Sequence, residues 1–347
     1  MATPCKQILL AKYSSEELSD ENFEVSEGEI EAIQAGSGDV LIKNVLLSLD
    51  PWNRLCMHST NQGLYFPPFS IGKPVPVLSV SRVISSDNAD YKAGDFLTCL
   101  ATASEYSLIR GGKDRAGLPL KKIDPSVPLE NYLSFLGLPG FTAWIGIVRI
   151  GEAKSGEQVF VSAASGGVGL AAGQIAKMRG CRVVGSVSTD EKVRFLKEEF
   201  GFDDAFNYKK EKDWNATLAR LFPNGIDIYF ENVGGKMLEA ALNHLNLHAR
   251  IPISGMISQY DKDWKLADGV RNLMNLVGRC AKMEGFLAYD HITHYDEFVS
   301  EMLPLVAESK IVSKHTITKG IENFPLAFIG MMRGENIGKA LVDLSDP

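Results

Sequence analysis

The sequence predicts an α/β protein, a doubly wound parallel sheet placed in a chain whose first third is rich in short strands. Three observations carry that prediction. Beyond residue 157, apolar strand-like runs alternate with helix-period segments, as they do where crossover helices join parallel strands. A turn of small residues at 163–169 follows one such strand and opens a helix. Before residue 124 the texture differs, with β-like runs separated by Gly and Pro, including Phe66-Pro67-Pro68.

The early runs predict strands at 39–48, 77–85 and 96–100. The later alternation predicts strand 158–162, helix 167–179, strand 182–186, helices 190–200 and 213–221, and strand 226–230. Helix 236–245, strand 250–254, helix 270–278, strand 282–286 and helix 296–307 complete it. The tail, 311–344, mixes strand and helix signals and is a candidate to complete the β-rich part. The expected organisation is a β-rich domain at 1–130 completed by 308–347, around a parallel α/β domain at 131–307.

Composition agrees. A chain of 347 residues suits two domains, and 45% hydrophobic against 23% charged residues favours packed cores over disorder. The net charge of −7 is spread along the chain, without the basic stripe that nucleic-acid binding requires. An acidic protein holding a polyanionic ligand must supply positive charge locally, so single Lys and Arg residues gain weight. No apolar run approaches the roughly eighteen residues of a membrane helix, and the stretch 8–11 is too short for a signal-peptide core. The five cysteines, Cys5, Cys56, Cys99, Cys181 and Cys280, are odd in number and scattered. The expectation is free thiols in a reducing cytosol.

The turn carries most of the chemistry. Ala164, Gly166 and Gly169 occupy the three glycine places of a G-x-G-x-x-G fingerprint. Gly166 would let the backbone approach a pyrophosphate, and Gly169 would let helix and strand pack closely. Gly166, Gly167, Val168 and Gly169 together would offer the N–H groups and positive dipole end of the helix. A ligand-free βα connection is the bland alternative, but the strand before, the helix after and the αβ series beyond supply the context the motif needs. An NAD-selective site would place Asp or Glu at the end of the second strand. Here Gly185-Ser186-Val187-Ser188-Thr189 stands there, followed by Asp190-Glu191-Lys192. Ser188 and Glu191 read as a capping box. Lys192 is then either a partner for a 2′-phosphate, with hydroxyls such as Ser188 helping, or a solvated surface lysine. The missing acid points to NADP(H).

No metal is expected. The chain has no C-x-x-C, and His244 and His248 are separated by Leu245 where a zinc-peptidase helix would carry Glu. His291 and His294 lack a third ligand. There is no phosphate loop of the G-x-x-x-x-G-K type and no G-x-S-x-G elbow.

With these residues in view, the chain resembles the zinc-independent branch of the medium-chain dehydrogenase/reductase superfamily. Within it, the chain looks like a plant NADPH-dependent alkenal double-bond reductase, related to leukotriene B4 12-hydroxydehydrogenases and prostaglandin reductases. The matching motifs run in order from Lys6-Gln7 through Leu49-Asp50-Pro51, Gly137-Leu138-Pro139-Gly140-Phe141-Thr142-Ala143 and the glycine turn. Phe222-Pro223-Asn224-Gly225-Ile226-Asp227 leads into Glu231-Asn232-Val233-Gly234-Gly235, and Gly255-Met256-Ile257-Ser258-Gln259-Tyr260 and Asn336-Ile337-Gly338 follow.

The resemblance implies a GroES-like substrate domain beside a Rossmann domain, an active site in the cleft between them, and a homodimer. It implies that Lys192 and Tyr208 bind the 2′-phosphate. Asn232, Ser254, Gly255, Ser258, Phe286 and Asn336 would line the cofactor, with Thr142 near the nicotinamide. Tyr260 is the family's active-site tyrosine, although on spacing alone it reads equally as a loop aromatic. Trp52, Leu78 and Tyr260 would line the substrate pocket. Trp52 and Leu78 stand where relatives carry Tyr, Ser188 replaces a frequent Gly and Ser254 a frequent Cys, so substrate range transfers least.

The implied reaction is conjugate reduction, with hydride reaching the β-carbon of an α,β-unsaturated aldehyde or ketone. Tyr260, with a cofactor ribose hydroxyl, would stabilise charge developing on the carbonyl oxygen. A hydroxycinnamaldehyde, a benzalacetone-type enone or a 2-alkenal suits such a pocket. The competing expectations are a zinc-independent NADPH quinone reductase and a non-catalytic NADPH-binding protein.

Overall fold

The structure, a computed structural model, describes residues 3–60, 66–118, 120–262 and 264–345. In chain order its strands are β1 (Thr3–Leu10), β2 (Phe23–Ile30), β3 (Val40–Ser48), β4 (Pro76–Ser86), β5 (Phe96–Thr102), β6 (Tyr106–Ile109) and β7 (Lys121–Lys122). Then come β8 (Gln158–Val161), β9 (Arg182–Val187), β10 (Asp204–Asn207), β11 (Ile226–Phe230), β12 (Leu245–Ile253) and β13 (Lys282–Gly285). The last two are β14 (His315–Lys319) and β15 (Lys339–Asp343). The α-helices are α1 (Trp52–Leu55), α2 (Leu138–Trp144), α3 (Gly167–Met178), α4 (Asp190–Glu199) and α5 (Trp214–Leu221). They continue with α6 (Gly235–Leu242), α7 (Met274–Gly278), α8 (Tyr295–Ala307) and α9 (Phe324–Met332).

The described residues form two compact units, one reaching Leu133 and resuming at His315, the other spanning Ser134–Lys314. In the first unit, one sheet runs β14-β15-β3-β4-β5-β7, with β6 also paired to β3. Strand β15 joins antiparallel to β3, Leu341 opposite Ser48, so the tail supplies an interior strand of this sheet. Apolar residues from both chain ends, among them Leu47, Met57, Phe324 and Phe328, share one core. A buried ion pair ties the same ends: Lys339 Nζ donates to Asp50 Oδ1 at 2.7 Å, and Ser48 Oγ donates to Asp50 Oδ2 at 2.5 Å. Buried pairing of this kind answers a desolvation cost that neither charge could meet alone.

The second unit is a six-stranded sheet in the order β10-β9-β8-β11-β12-β13, parallel at every pairing. Its central strands are covered on both faces, which is why they read as continuous apolar runs rather than alternating ones. Val159, Phe160 and Val161 are buried beside Ile228, Tyr229 and Phe230, and Phe160 stacks on Tyr229 with ring centroids 4.8 Å apart. This is the doubly wound α/β fold the sequence predicts, accompanied by the β-rich unit.

Three local expectations needed correction. Strand β10 was not anticipated, because its four residues carry polar ends and draw their ladder from β9. Strand β12 starts at Leu245 rather than 250. Its polar stretch and the left-handed His248 (φ 63°) hide it from period-2 reading. The helix expected at 270–278 shrinks to α7, because the Asn272 side chain donates to Glu239 O and Asn243 Oδ1, both at 2.7 Å. Side-chain bonds of this type compete with helix formation.

Candidate dinucleotide site and active site

Parallel strands share a direction, so their carboxyl ends share one edge of the sheet. The second-unit candidates collect there. The 163–169 turn leaves β8, Ser188 leaves β9, Tyr208 leaves β10, Asn232 leaves β11, Ser254 and Gly255 leave β12, and Phe286 leaves β13. The order reverses between β8 and β11, and open α/β sheets bind ligands outside the strand ends at such a reversal.

The turn itself is tight. Ala163 adopts a left-handed conformation (φ 48°), so the strained place falls one residue before the Ala164 that the fingerprint indicated. Gly166 is the N-cap of α3, and no side chain caps the helix, which leaves first-turn N–H groups for a ligand. Gly166, Gly167 and Val168 are half-buried. A Cβ on Gly169 would lie 2.4 Å from Ala163 O and 2.8 Å from Ala164 Cα, so this glycine is required by the close passage of helix and turn.

At the next strand end the expected Ser188–Glu191 capping box does not form. Strand β9 runs to Val187, which leaves Thr189 with the extended N-cap geometry, and its Oγ1 accepts Lys192 N–H at 3.2 Å. Glu191 is exposed in the first turn of α4. Lys192 is 5% exposed, which removes the surface-lysine alternative. Burial, then repulsion from Lys209, pushes its basicity below the usual lysine range. Tyr208 N–H donates to Val187 O at 2.9 Å, so Tyr208 and Ser188 leave the sheet side by side. The Tyr208 ring packs edge-on against Trp214, and burial raises its pKa. A buried lysine, a phenol and a helix N-terminus are the group types that suit a phosphate dianion, and they follow adjacent strands.

At β11 the sequence reasoning passed over Glu231. It is fully buried, and its Oε1 accepts from Ser162 Oγ at 3.0 Å, Gly234 N–H at 3.0 Å and Val233 N–H. Asn232 Nδ2 donates to Ser162 O at 2.7 Å and Asn232 N–H to Ser162 Oγ at 2.9 Å. The backbone of this segment then holds the next one. Ser254 N–H and Gly255 N–H donate to Glu231 O, Ile257 N–H to Asn232 O at 2.9 Å, and Ser258 Oγ to Val233 O at 2.5 Å. Tyr260 closes the array, its oxygen accepting Met256 N–H at 3.3 Å. A Cβ on Gly255 would lie 2.8 Å from that oxygen, so the absent side chain is what admits the hydroxyl. Burial raises the Tyr260 pKa above 10, so the group is a phenol, and hence a donor, throughout the neutral range.

The remaining candidates are placed as follows. Thr142 is half-buried on α2, its hydroxyl donating to Leu138 O at 2.8 Å. Phe286 N–H donates to Ile253 O, and its ring meets His291 edge-on. In the first unit, Trp52 opens α1 and packs on Phe66 and Phe69, with a buried Nε1 that has no hydrogen-bond partner among the described residues. Leu78 packs in β4 against a cluster that includes Leu46, Val80 and Leu341. Asn336 Nδ2 donates to Gly338 O at 2.7 Å within its own turn. Among the described residues, no group of three or more His, Cys, Asp or Glu side chains could hold a metal ion, and no helix is long and apolar enough to cross a membrane.

A doubly wound parallel sheet with a glycine turn and a buried lysine at adjacent strand ends is the architecture of a dinucleotide-binding protein. Comparison with known proteins narrows the class. Residues 167–308 match the family described as zinc-binding dehydrogenase, and residues 6–115 the family described as N-terminal domain of oxidoreductase. The chain is 42% identical to the NADP(+)-dependent 2-alkenal reductase of Nicotiana tabacum, over 98% of this chain and 97% of that one. It is 41% identical to the (+)-pulegone reductase of Mentha piperita, over 98% of both. Among solved structures, CurA from Vibrio vulnificus in complex with NADPH is similar at a TM-score of 0.90 and 35% identity, covering 99% of this chain and 100% of that one. The chain belongs to the medium-chain dehydrogenase/reductase superfamily, in its zinc-independent group of alkenal and enone double-bond reductases.

Proposed function

We propose that the protein reduces the C=C bond of α,β-unsaturated aldehydes and ketones with NADPH. The observation that carries this reading is Tyr260, a phenol held through Ser258 and Ile257 to the strand-end segment of Asn232. The residues fit the cofactor. An uncapped helix N-terminus suits a pyrophosphate, and the buried Lys192, whose basicity burial depresses, is relieved by a 2′-phosphate. When bound, NADPH supplies the hydride. The chain's part is to orient and to stabilise. Gly166 to Gly169 hold the pyrophosphate. Ser188, Lys192 and Tyr208 would hold the 2′-phosphate, and Thr142, Asn232, Ser254, Gly255, Ser258 and Phe286 would complete the contacts made by this unit. The Tyr260 hydroxyl donates to the carbonyl oxygen as enolate charge develops there, and donors of this kind are worth about 3 kcal/mol of transition-state stabilisation.

Trp52 is the residue we assign to the substrate, its aromatic neighbours and an indole N–H without a partner among the described residues suiting an aromatic enal or enone. The strand β13 lies at an edge of its sheet, with exposed Met274 and Val277 just before it, which supports pairing between two copies of the chain. Five free cysteines, four of them buried, suit the cytoplasm.

The test is a steady-state comparison of an enal, an enone and a quinone, with NADPH and NADH in parallel, on wild type and Tyr260→Phe. The expected outcome is turnover of enal and enone with NADPH, and a roughly hundredfold lower kcat in the variant at unchanged NADPH affinity. Quinone reduction alone, or unaltered kcat in the variant, would remove the proposal.

A further inference from the structure

Glu231 is a buried ionisable side chain that the proposed chemistry does not use. Its position is unusual for a residue without a task. One carboxyl oxygen gathers three donors, Ser162 Oγ and the N–H groups of Val233 and Gly234. The other, Oε2, is buried and makes no hydrogen bond of good geometry among the described residues, and the Tyr229 hydroxyl of the same strand is the polar group that faces the carboxyl. The turn beyond it is one that ordinary backbone does not favour. Gly234 and Gly235 both take positive φ, 75° and 54°. Without an internal acceptor, two N–H groups of that turn would lose their partner, and the Ser162 hydroxyl would keep only its long bond to Phe230 O, 3.4 Å.

We infer that Glu231 is a positioning residue: its Oε1 sets the 232–235 turn and, through Ser162 and its own backbone carbonyl, fixes Asn232 and the 254–260 segment that carries Tyr260. The inference rests on the proposed roles of Asn232 and Tyr260, but its structural half stands apart from them. The convergence of three donors on Oε1 says that the acceptor oxygen is what matters. Burial raises the pKa of the carboxyl against the opposing pull of Tyr229, Gly234, Val233 and Ser162. The titratable groups facing it are Tyr229 from its own strand and Tyr260 from the following segment, neither of them cationic.

The test uses Glu231→Leu, Glu231→Gln and Glu231→Asp in the full chain. Amide hydrogen exchange of Val233 and Gly234 is read first, without cofactor, then the NADPH Kd, kcat and the pH profile. Leucine offers no acceptor, so both amides should exchange faster and the NADPH Kd should rise about tenfold or more, the scale of lost buried hydrogen bonds. Glutamine keeps a carbonyl oxygen and should restore exchange, Kd and pH profile to within about twofold, the scatter of a conservative change. Aspartate is one methylene shorter and should fall between them, which keeps the test decisive where the leucine variant does not fold. Protected amides in the leucine or aspartate variant, or a glutamine variant as impaired as leucine, would overturn the inference. Wild type that failed to bind NADPH would instead refute the cofactor reading, while the exchange data still judged Glu231.

Discussion

Lys192→Met is the perturbation that asks most of the site. Methionine keeps length and apolar stem but removes the charge. A hydrogen bond between charged partners contributes about 1.5–3 kcal/mol, and each 1.4 kcal/mol is tenfold, so NADPH affinity should fall about 10- to 150-fold. Lys192 is 5% exposed, so solvent screens the pair weakly and the upper half of that range is expected. NADH lacks the 2′-phosphate, and its affinity should stay put. The pH dependence has a definite sign. Burial and Lys209 lower the Lys192 pKa, so NADPH binding should weaken as pH rises through that lowered value. In the cofactor-free protein the unfolded chain holds the proton more tightly, so this group destabilises the fold below its folded pKa. That penalty is relieved as pH rises from the folded value towards the unfolded value near 10.5. The variant should accordingly melt no lower than wild type at neutral pH. Titration of cofactor fluorescence with NADPH and NADH between pH 6 and 10, alongside thermal melts, reads all of this. Equal weakening of both cofactors, or none, would refute the reasoning.

Three further outcomes follow from the same geometry. Gly169→Ala drives a methyl to 2.4 Å from Ala163 O, so it should destabilise the fold by about 1–3 kcal/mol and weaken NADPH, both visible in melts with and without cofactor. Thr189→Ala removes the cap that holds Lys192 N–H, costing about 1 kcal/mol in denaturant unfolding, whereas Ser188→Ala should not. The Tyr260 pKa is raised by burial, so kcat should hold through pH 10 and decline only above it. A decline centred below 10 would exclude its hydroxyl as the titrating donor.

How much of this was legible depends on the range of the interaction concerned. The glycine turn, the central strands and the acid-free end of β9 are local, and each is written in neighbouring residues. Lys192 was found by spacing, but its burial was not, because burial is a property of the packed chain and not of the residues beside it in sequence. The capping box failed for a smaller reason: Ser188 and Thr189 are both competent caps, and the length of β9 chooses between them. Glu231 carried no signal of its own, since an acid after an apolar strand reads as a surface residue until its donors are seen.

The sequence by itself determined the alternation of strands and helices, the tight turn, and the residue types that could hold a phosphorylated dinucleotide. Those depend on backbone preference and on periodic burial, which act over a few residues. The tertiary structure decided what those residues are to one another. Parallel pairing brought six strand ends to one edge, and β15 brought the tail back beside β3. Withdrawal from water, a property of the packed chain, turned an ordinary lysine, a glutamate and a tyrosine into groups with shifted proton affinity.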